Sequence, residues 1–319
     1  MKAKKNKIYH EPTRTAYLRY DTNTRKKNQI NSSWCSWLII LLFSFILFGC
    51  SSAPKKAAEI RVDRNVAIQQ LNLVNQLVSR GRYDDALRDL REARRLAVST
   101  DDPYLRIRTS ISRGDVLFAL GRHDEAFAEW DNASSEGDAS GEPVLAALAR
   151  IYAIRAKLIL LANGTATDAA AEEYKAQINR EMAVVRNDDL SSASGYVALG
   201  LAEKQLGRWA EAESAVRRAL DIHENSVSLE DSAYDWFLIA SIRSVAGDYN
   251  GALEALRSSI SFDRRAENGF GLASSWEAMG DVNQKAGKTE DAQAAWRRAA
   301  EIYRAIGLTA QAERIEGQL

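Results

Sequence analysis

The stretch RGRYDDALRDLREA (residues 80–93) has a glycine at its second position and alanines five and twelve positions after that glycine. Four later stretches repeat this spacing of glycine and small residues: LGRHDEAFAEWDNA (120–133), LGRWAEAESAVRRA (206–219), AGDYNGALEALRSS (246–259) and AGKTEDAQAAWRRA (286–299). Their glycines are Gly81, Gly121, Gly207, Gly247 and Gly287, with intervals of 40, 86, 40 and 40 positions between them. A pattern that recurs at a fixed period indicates a repeat architecture.

The longest of these intervals is close to two periods and contains a degenerate copy of the pattern. This copy is ANGTATDAAAEEYKAQI (162–178), and its Gly164 is 43 positions from each neighbouring glycine. The sequence therefore predicts six copies between about residue 58 and residue 305.

Each copy is predicted to fold as two helices joined by a tight turn. The glycine ends the first helix, because glycine adopts left-handed backbone conformations at little cost. The alanine or serine residues five and twelve positions after the glycine allow two helices to approach closely. A bulky residue nine positions after the glycine fills the space beside these small residues: Leu90, Trp130, Val216, Leu256 and Trp296. Small residues also stand seven positions before the turn glycine, where a repeat of this kind has its helix crossing: Gly114, Gly200, Ala240 and Gly280.

This arrangement resembles the tetratricopeptide repeat (TPR), a helix-turn-helix unit of about 34 residues. Trp236 and Trp276 stand at that family's tryptophan position. The resemblance implies an all-α fold, a TPR-type α-solenoid of about six helix-turn-helix repeats. The longer period of this chain predicts longer helices or longer loops than the family's usual unit. The C-terminal stretch AIGLTAQAERIEGQL (305–319) predicts a turn at Gly307 and a C-terminal capping helix, which a solenoid needs to cover its last apolar face.

The N-terminal region has the order of a secretory signal, with basic residues before an apolar run. The run covers residues 34–49 and is shorter than the roughly 20 residues that a membrane-spanning helix needs. It ends in LFGC (47–50), which resembles a bacterial lipobox although Phe48 departs from the usual small residue. The predicted domains are a signal peptide with lipobox and a long n-region (1–49), an acylated cysteine and tether (50–57), and the solenoid with its cap (58–319). The alternatives are an uncleaved anchor and a core helix.

The net charge of zero hides an asymmetry between the two parts of the chain. Residues 1–49 hold nine basic and two acidic residues, so the remainder carries 34 basic and 41 acidic residues, a net charge of −7. An acidic body argues against nucleic acid as a partner, because phosphate binding needs a positive field.

The sequence offers no constellation for catalysis or metal binding. The two cysteines, Cys35 and Cys50, form no CxxC motif and cluster with no histidine. His123 stands at a turn position that other copies give to an aromatic, and His223 lies near a helix C-terminus, where a cation is favoured. We therefore expect no enzyme activity and no cofactor apart from a covalent lipid on Cys50.

Surface residues remain as the candidates for function. The resemblance implies a concave groove lined by the first helices, and alignment on the turn glycines places nine residues there: Asn75, Arg108, Asp115, Phe118, Lys204, Tyr234, Phe237, Ser241 and Glu277. Exposed aromatic groups beside charges suit the capture of a peptide or helix. The alternative is that neighbouring repeats or a dimer partner cover them. The carboxylate clamp of chaperone-binding TPR proteins is not supported, because only Asn75 matches it.

These features together predict a lipoprotein of the bacterial cell envelope, lipid-anchored to a membrane, that binds envelope proteins or peptides. In a cell with two membranes, Ser51 after the cysteine favours the periplasmic side of the outer membrane. The alternative function is a lipoprotein that binds a small ligand or associates with a transporter. A homo-oligomer is compatible with either function.

Overall fold

The computed structural model describes residues 61–162 and 168–319, and all of these residues lie in one compact unit, Ile60–Leu319. The signal peptide, lipobox, tether and Gly164 turn predicted above lie outside the described residues. The described part is entirely helical outside its turns. The helices are α1 (Val62–Ser79), α2 (Tyr83–Ser99), α3 (Pro103–Ala119), α4 (His123–Ser140), α5 (Pro143–Ala162), α6 (Asp168–Val185), α7 (Asp189–Gln205), α8 (Trp209–Asn225), α9 (Leu229–Val245), α10 (Tyr249–Ala266), α11 (Gly269–Lys285), α12 (Thr289–Ala305) and α13 (Thr309–Glu316).

The helices form six consecutive pairs followed by the cap α13, so the predicted all-α solenoid is confirmed. In each pair we call the odd-numbered helix the first helix and the even-numbered helix the second helix. The first twelve helices have 17 to 20 residues. The described loops between them have only two or three residues. The long period is therefore explained by long helices and not by long loops.

The turn glycines end the first helices in the way the sequence predicts. Gly81 has a φ of 70°, and the turn is closed by hydrogen bonds from Gly81 N to Val78 O (2.9 Å) and from Arg82 N to Leu77 O (2.8 Å). These are the bonds of a Schellman motif, which satisfies carbonyl groups at a helix end. Gly121, Gly207, Gly247 and Gly287 have φ values between 69° and 86°. One short turn thus reverses the chain in each of these five pairs.

The two helices of a pair cross where the small residues were predicted. A Cβ atom added to Gly114 would lie 2.4 Å from Nε1 of Trp130, and one added to Gly280 would lie 2.3 Å from the same atom of Trp296. Gly200 faces Val216 in the same way, at 2.4 Å. The bulky residue of the second helix therefore occupies the space that the absent side chain leaves on the first.

The third pair departs from the others on the side of α5. This helix has 20 residues and is the longest of the described first helices, and it contacts α7 directly. The small residues Ala198 and Ala202 of α7 belong to the same hydrophobic cluster as Ile151 and Leu158 of α5. Gln205 of α7 donates a hydrogen bond to the carbonyl of Leu158 in α5 (3.2 Å). The third and fourth pairs are therefore joined through their first helices, α5 and α7.

The pairs are arranged with the first helices inside and the second helices outside. Consecutive first helices contact each other from α1 to α7, and α9 contacts α11. The array also meets its own beginning, since α1 contacts α11. Leu308, in the turn after α12, packs against both the first and the last hydrophobic clusters, and a Cβ on Gly81 would lie 3.0 Å from it. The solenoid therefore closes into a ring, and we call this contact the seam.

The cap α13 covers the last pair. Its Ala312 and Ile315 are fully buried against the side chains of Trp296 and Tyr303 in α12. An ion pair between Arg304 and Glu316 (2.6 Å) lies at its edge. No helix in the described ranges combines the length and the apolar character that a membrane span requires.

Candidate protein-interaction site

All nine predicted residues lie on first helices, and therefore on the inner layer of the ring. Asn75 is on α1, Arg108, Asp115 and Phe118 are on α3, Lys204 is on α7, Tyr234, Phe237 and Ser241 are on α9, and Glu277 is on α11. Asn75 and Arg108 are exposed, and the other seven are half-buried. Half-buried side chains on a concave surface keep part of their area available to a ligand.

The structure brings side chains of α5 and α9 together across the ring. The guanidinium carbon of Arg155 lies 5.0 Å from the ring centroid of Tyr152 and 5.6 Å from that of Tyr234. Phe237 stacks beside Tyr234, with ring centroids 6.5 Å apart and planes 13° from parallel. The helices α5 and α9 belong to the third and fifth pairs, so only the concave side of a curved array allows this contact.

Two acidic residues complete this group. Desolvation raises the pKa of Asp115 to about 8, although the nearby positive charges of Arg155 and Arg108 lower it. The charge of Asp231, an exposed residue of α9, raises it further. We call Asp115, Tyr152, Arg155, Asp231 and Tyr234 the central cluster.

Other predicted residues are engaged within the fold. Phe118 packs on His123, with ring centroids 4.9 Å apart, and on Trp130 at 6.0 Å. Glu277 forms an ion pair with Arg314 of the cap (2.8 Å) and accepts a hydrogen bond from Tyr303 (3.2 Å). These contacts hold the last pair together and leave Glu277 less available to a ligand.

Lys204 and Ser241 form a second polar contact on the inner layer. Lys204 Nζ donates a hydrogen bond to Ser241 Oγ (2.6 Å) and links α7 to α9. Desolvation lowers the pKa of Lys204, and the nearby charge of Lys285 lowers it further. The charged form of this ammonium group is therefore less favourable than that of an exposed lysine.

Sequence reasoning missed Tyr152 and Arg155, because the third copy was aligned on Gly164. The better reference is a pair of prolines, Pro103 and Pro143, which both begin a first helix and are separated by one repeat period. Counting from these prolines puts Arg155 in register with Asp115. Alignment of the copies on the residues that begin the first helices therefore identifies Arg155, whereas alignment on the turn glycines does not.

His223 has a partner that the sequence did not reveal. Its Nδ1 lies 2.7 Å from Oδ2 of Asp235, and both side chains are buried. Desolvation lowers the pKa of His223, but the hydrogen bond and charge of Asp235 outweigh this, so the net pKa is raised. The pair lies between α8 and α9 and acts as an internal link. The described residues contain no group of three or more His, Cys, Asp or Glu side chains that could hold a metal ion.

Comparison with known proteins agrees with the repeat pattern and the fold. The family model described as tetratricopeptide repeat matches residues 192–232, which cover most of α7, all of α8 and the beginning of α9. The chain contains tetratricopeptide repeats. Members of this repeat class generally bind protein or peptide partners and serve as scaffolds without catalysis of their own.

Among solved structures, the TPR solenoid is similar to a Rap protein in complex with competence and sporulation factor. The TM-score is 0.51, the identity is 16%, and the match covers 78% of this chain and 69% of that one. A thermophilic TPR protein of Thermus thermophilus matches with a TM-score of 0.45 and 19% identity, over 65% of this chain and 98% of that one. BtubC of P. vanneervenii matches with a TM-score of 0.45 and 15% identity, over 75% and 92%. No curated protein matches the chain in sequence.

Proposed function

We propose that this protein is a membrane-anchored TPR lipoprotein of the bacterial cell envelope that binds a partner protein or peptide on the inner layer of its ring. The observation that carries this proposal is the pair of stacked aromatic rings, Tyr234 and Phe237, which remain half-buried on the concave side beside Arg155. Large aromatic side chains and arginine are the residues that most often dominate binding energy at protein interfaces. The Rap protein, which was solved in complex with competence and sporulation factor, has a similar fold.

The anchor is proposed from the sequence alone. The lipobox-like LFGC (47–50) lies shortly before the first described helix, and the intervening SSAPKK (51–56) consists of small, polar and charged residues. Such a linker builds no core of its own and keeps the solenoid close to the membrane. Two or three acyl chains on Cys50 would anchor it stably, because each buried CH₂ contributes about 0.8 kcal/mol.

The partner proposal is tested by crosslinking in native membranes. C-terminally tagged full-length protein is crosslinked and purified beside a Tyr234→Ala, Phe237→Ala double variant. The matched control is Val98→Ala, Val184→Ala, which removes two exposed apolar groups from the outer helices α2 and α6. We expect a discrete set of envelope proteins with the wild type and the control but not with the aromatic variant, provided that all three unfold at similar temperatures. Retention of every partner by the aromatic variant would exclude the inner layer as the binding surface.

The anchor proposal is tested separately with Cys50→Ala. We expect the wild type to incorporate radioactive palmitate and to partition into the detergent phase, and the variant to do neither. Cys35→Ala is the matched control, because the predicted signal peptide contains it and cleavage removes it. Labelling of the Cys50 variant would contradict the lipobox assignment without affecting the partner proposal.

A further inference from the structure

Arg155 is a half-buried cation that the charge of Asp115 and a hydrogen bond with Tyr234 stabilise, but it has no direct ion pair among the described residues. Its side chain lies between the rings of Tyr152 and Tyr234, and its Nε is buried with no hydrogen-bond partner among the described residues. Within the same residues it forms no ion pair, whereas other half-buried arginines of the solenoid do, as Arg106 does with Glu136 and Arg243 with Glu213. A desolvated charge that lacks a hydrogen-bonded counter-ion is costly to the fold. Such a group gains most from a ligand that supplies the missing acceptor.

The neighbouring charges select the kind of anion. Asp115 and Asp235 interact electrostatically with Arg155, and the charge of Asp231 acts on both of these carboxyl groups. Exposed Arg108 adds a second positive charge beside Asp115. The negative charge of Asp231 would repel a doubly charged phosphate more strongly than a singly charged carboxylate. The planar guanidinium also matches the geometry of a carboxylate, which accepts two parallel hydrogen bonds from it.

We propose that the central cluster binds an acidic side chain of a peptide ligand, with its carboxylate on Arg155 and its neighbouring side chains against the rings of Tyr234 and Phe237. This inference rests on the proposed function, because it specifies the chemistry of a ligand on the inner layer. The tyrosine rings hold the guanidinium in place, so little rotamer freedom is lost when the ligand binds. The aromatic walls provide apolar contact on the α9 side of the cluster.

The test uses full-length protein purified in detergent and four mixtures of fluorescently labelled dodecapeptides. Three mixtures are blocked at both ends and fixed at the centre as Glu, Gln or phosphoserine, and the fourth has a central Gln and a free C-terminal carboxylate. Binding is measured by anisotropy for the wild type, Arg155→Met and Arg91→Met. Arg91 is the matched control, because it is an exposed arginine on the outer helix α2 without an ion pair among the described residues. Succinate is added as a competitor in a separate arm.

The expected result is that the wild type and Arg91→Met bind the Glu mixture about tenfold more tightly than the Gln mixture, the effect of one charge-assisted hydrogen-bonding pair. Arg155→Met should bind both mixtures equally, because the guanidinium that distinguishes glutamate from glutamine is removed. Equal binding of Glu and Gln mixtures by the wild type would overturn the inference but leave the proposed function standing.

The remaining outcomes each exclude a different part of the inference. Preference for the free C-terminus or for phosphoserine would overturn the assignment to an acidic side chain. Displacement of the Glu mixture by micromolar succinate would assign the cluster to a small carboxylate and overturn the peptide ligand. Binding of no mixture at millimolar concentration would overturn both this inference and the proposed function.

Discussion

Val227 occupies the turn between α8 and α9 with a φ of 59°, and its side chain is 72% exposed. A β-branched residue rarely adopts this left-handed conformation, because its Cβ comes close to the following carbonyl oxygen. Glu267 in the turn after α10 and Gly141 in the turn after α4 also have a positive φ. The turn geometry is thus imposed by the stacking of successive pairs and not by local preference.

We expect Val227→Gly to raise the free energy of unfolding by about 1 kcal/mol, because glycine adopts a positive φ without strain. Denaturant unfolding measures the change. The control is Val245→Gly, an exposed residue at the end of α9 whose φ is not positive, and it should lower stability by about 0.5–1 kcal/mol. A loss of stability in Val227→Gly would mean that this backbone is not strained.

Asp115 should make the protein less stable as the pH rises. Its pKa is about 8 in the folded chain and 3.8 for an unperturbed aspartate, so between these pH values the folded state holds a proton that the unfolded state releases. The contribution of the protonated group is therefore fully present below pH 4 and is lost as the pH rises through 8. Asp115→Asn should flatten the dependence of unfolding free energy on pH between 5 and 8.

Asp131→Asn is the control for this measurement, because Asp131 is an exposed residue of the outer helix α4. It should leave the slope between pH 5 and pH 8 unchanged. A wild-type slope that persists in Asp115→Asn would show that the remaining buried groups, such as Asp263 with its pKa raised by desolvation to about 7, account for it instead.

At the scale of helices, the sequence predicts much because each pair repeats the same short-range pattern. The turn glycines, the small crossing residues and the bulky residues opposite them all lie close together along the chain. The third pair was predicted less well, because α5 is longer and its contact with α7 is more extensive than the contacts between the other consecutive first helices. The contact of Arg155 with Tyr234 joins residues 79 positions apart, and no local pattern predicts it.

The close packing at the crossing of α3 and α4 can be tested by adding a single methyl group at Gly114. Gly114→Ala should destabilise the protein by about 1–3 kcal/mol, because the new methyl group would meet the ring of Trp130. Thermal and denaturant unfolding give the value. In a Trp130→Leu background the same change should cost less, because the ring is gone and alanine favours helix over glycine. Equal costs in the two backgrounds would show that the ring is not the obstacle.

At the scale of the whole solenoid, the seam is the feature that the sequence did not predict. Its position depends on small rotations summed over six pairs, so it is a property of the array and not of any repeat. Leu308 and Gly81 meet there, 227 positions apart in the chain. Gly269 also lies at this point, since a Cβ on it would be 2.8 Å from Ile306 and 3.4 Å from the carbonyl of Ser79.

Leu308→Asp should open the seam, because a carboxylate cannot remain between two apolar clusters without a partner. We expect faster amide hydrogen exchange in α1 and a loss of about 1–3 kcal/mol in stability. Leu190→Asp is the control, because Leu190 is 52% exposed on α7, and it should change neither quantity. Unchanged exchange in α1 with Leu308→Asp would mean that α1 is held by α2 and α3 alone.

An array whose ends are joined differs from an open one in how it accommodates a guest. An open superhelix widens by small adjustments between all its pairs, whereas a closed circle has a fixed circumference and widens only where it breaks. A ligand that fits against the inner layer as it stands can therefore bind without opening the circle, but a bulkier one must separate Leu308 from Gly81. Because coupling between two equilibria is reciprocal, a guest that loosens the junction would bind more tightly to a chain already opened by mutation. The junction would therefore discriminate between ligands by their width, independently of their charge.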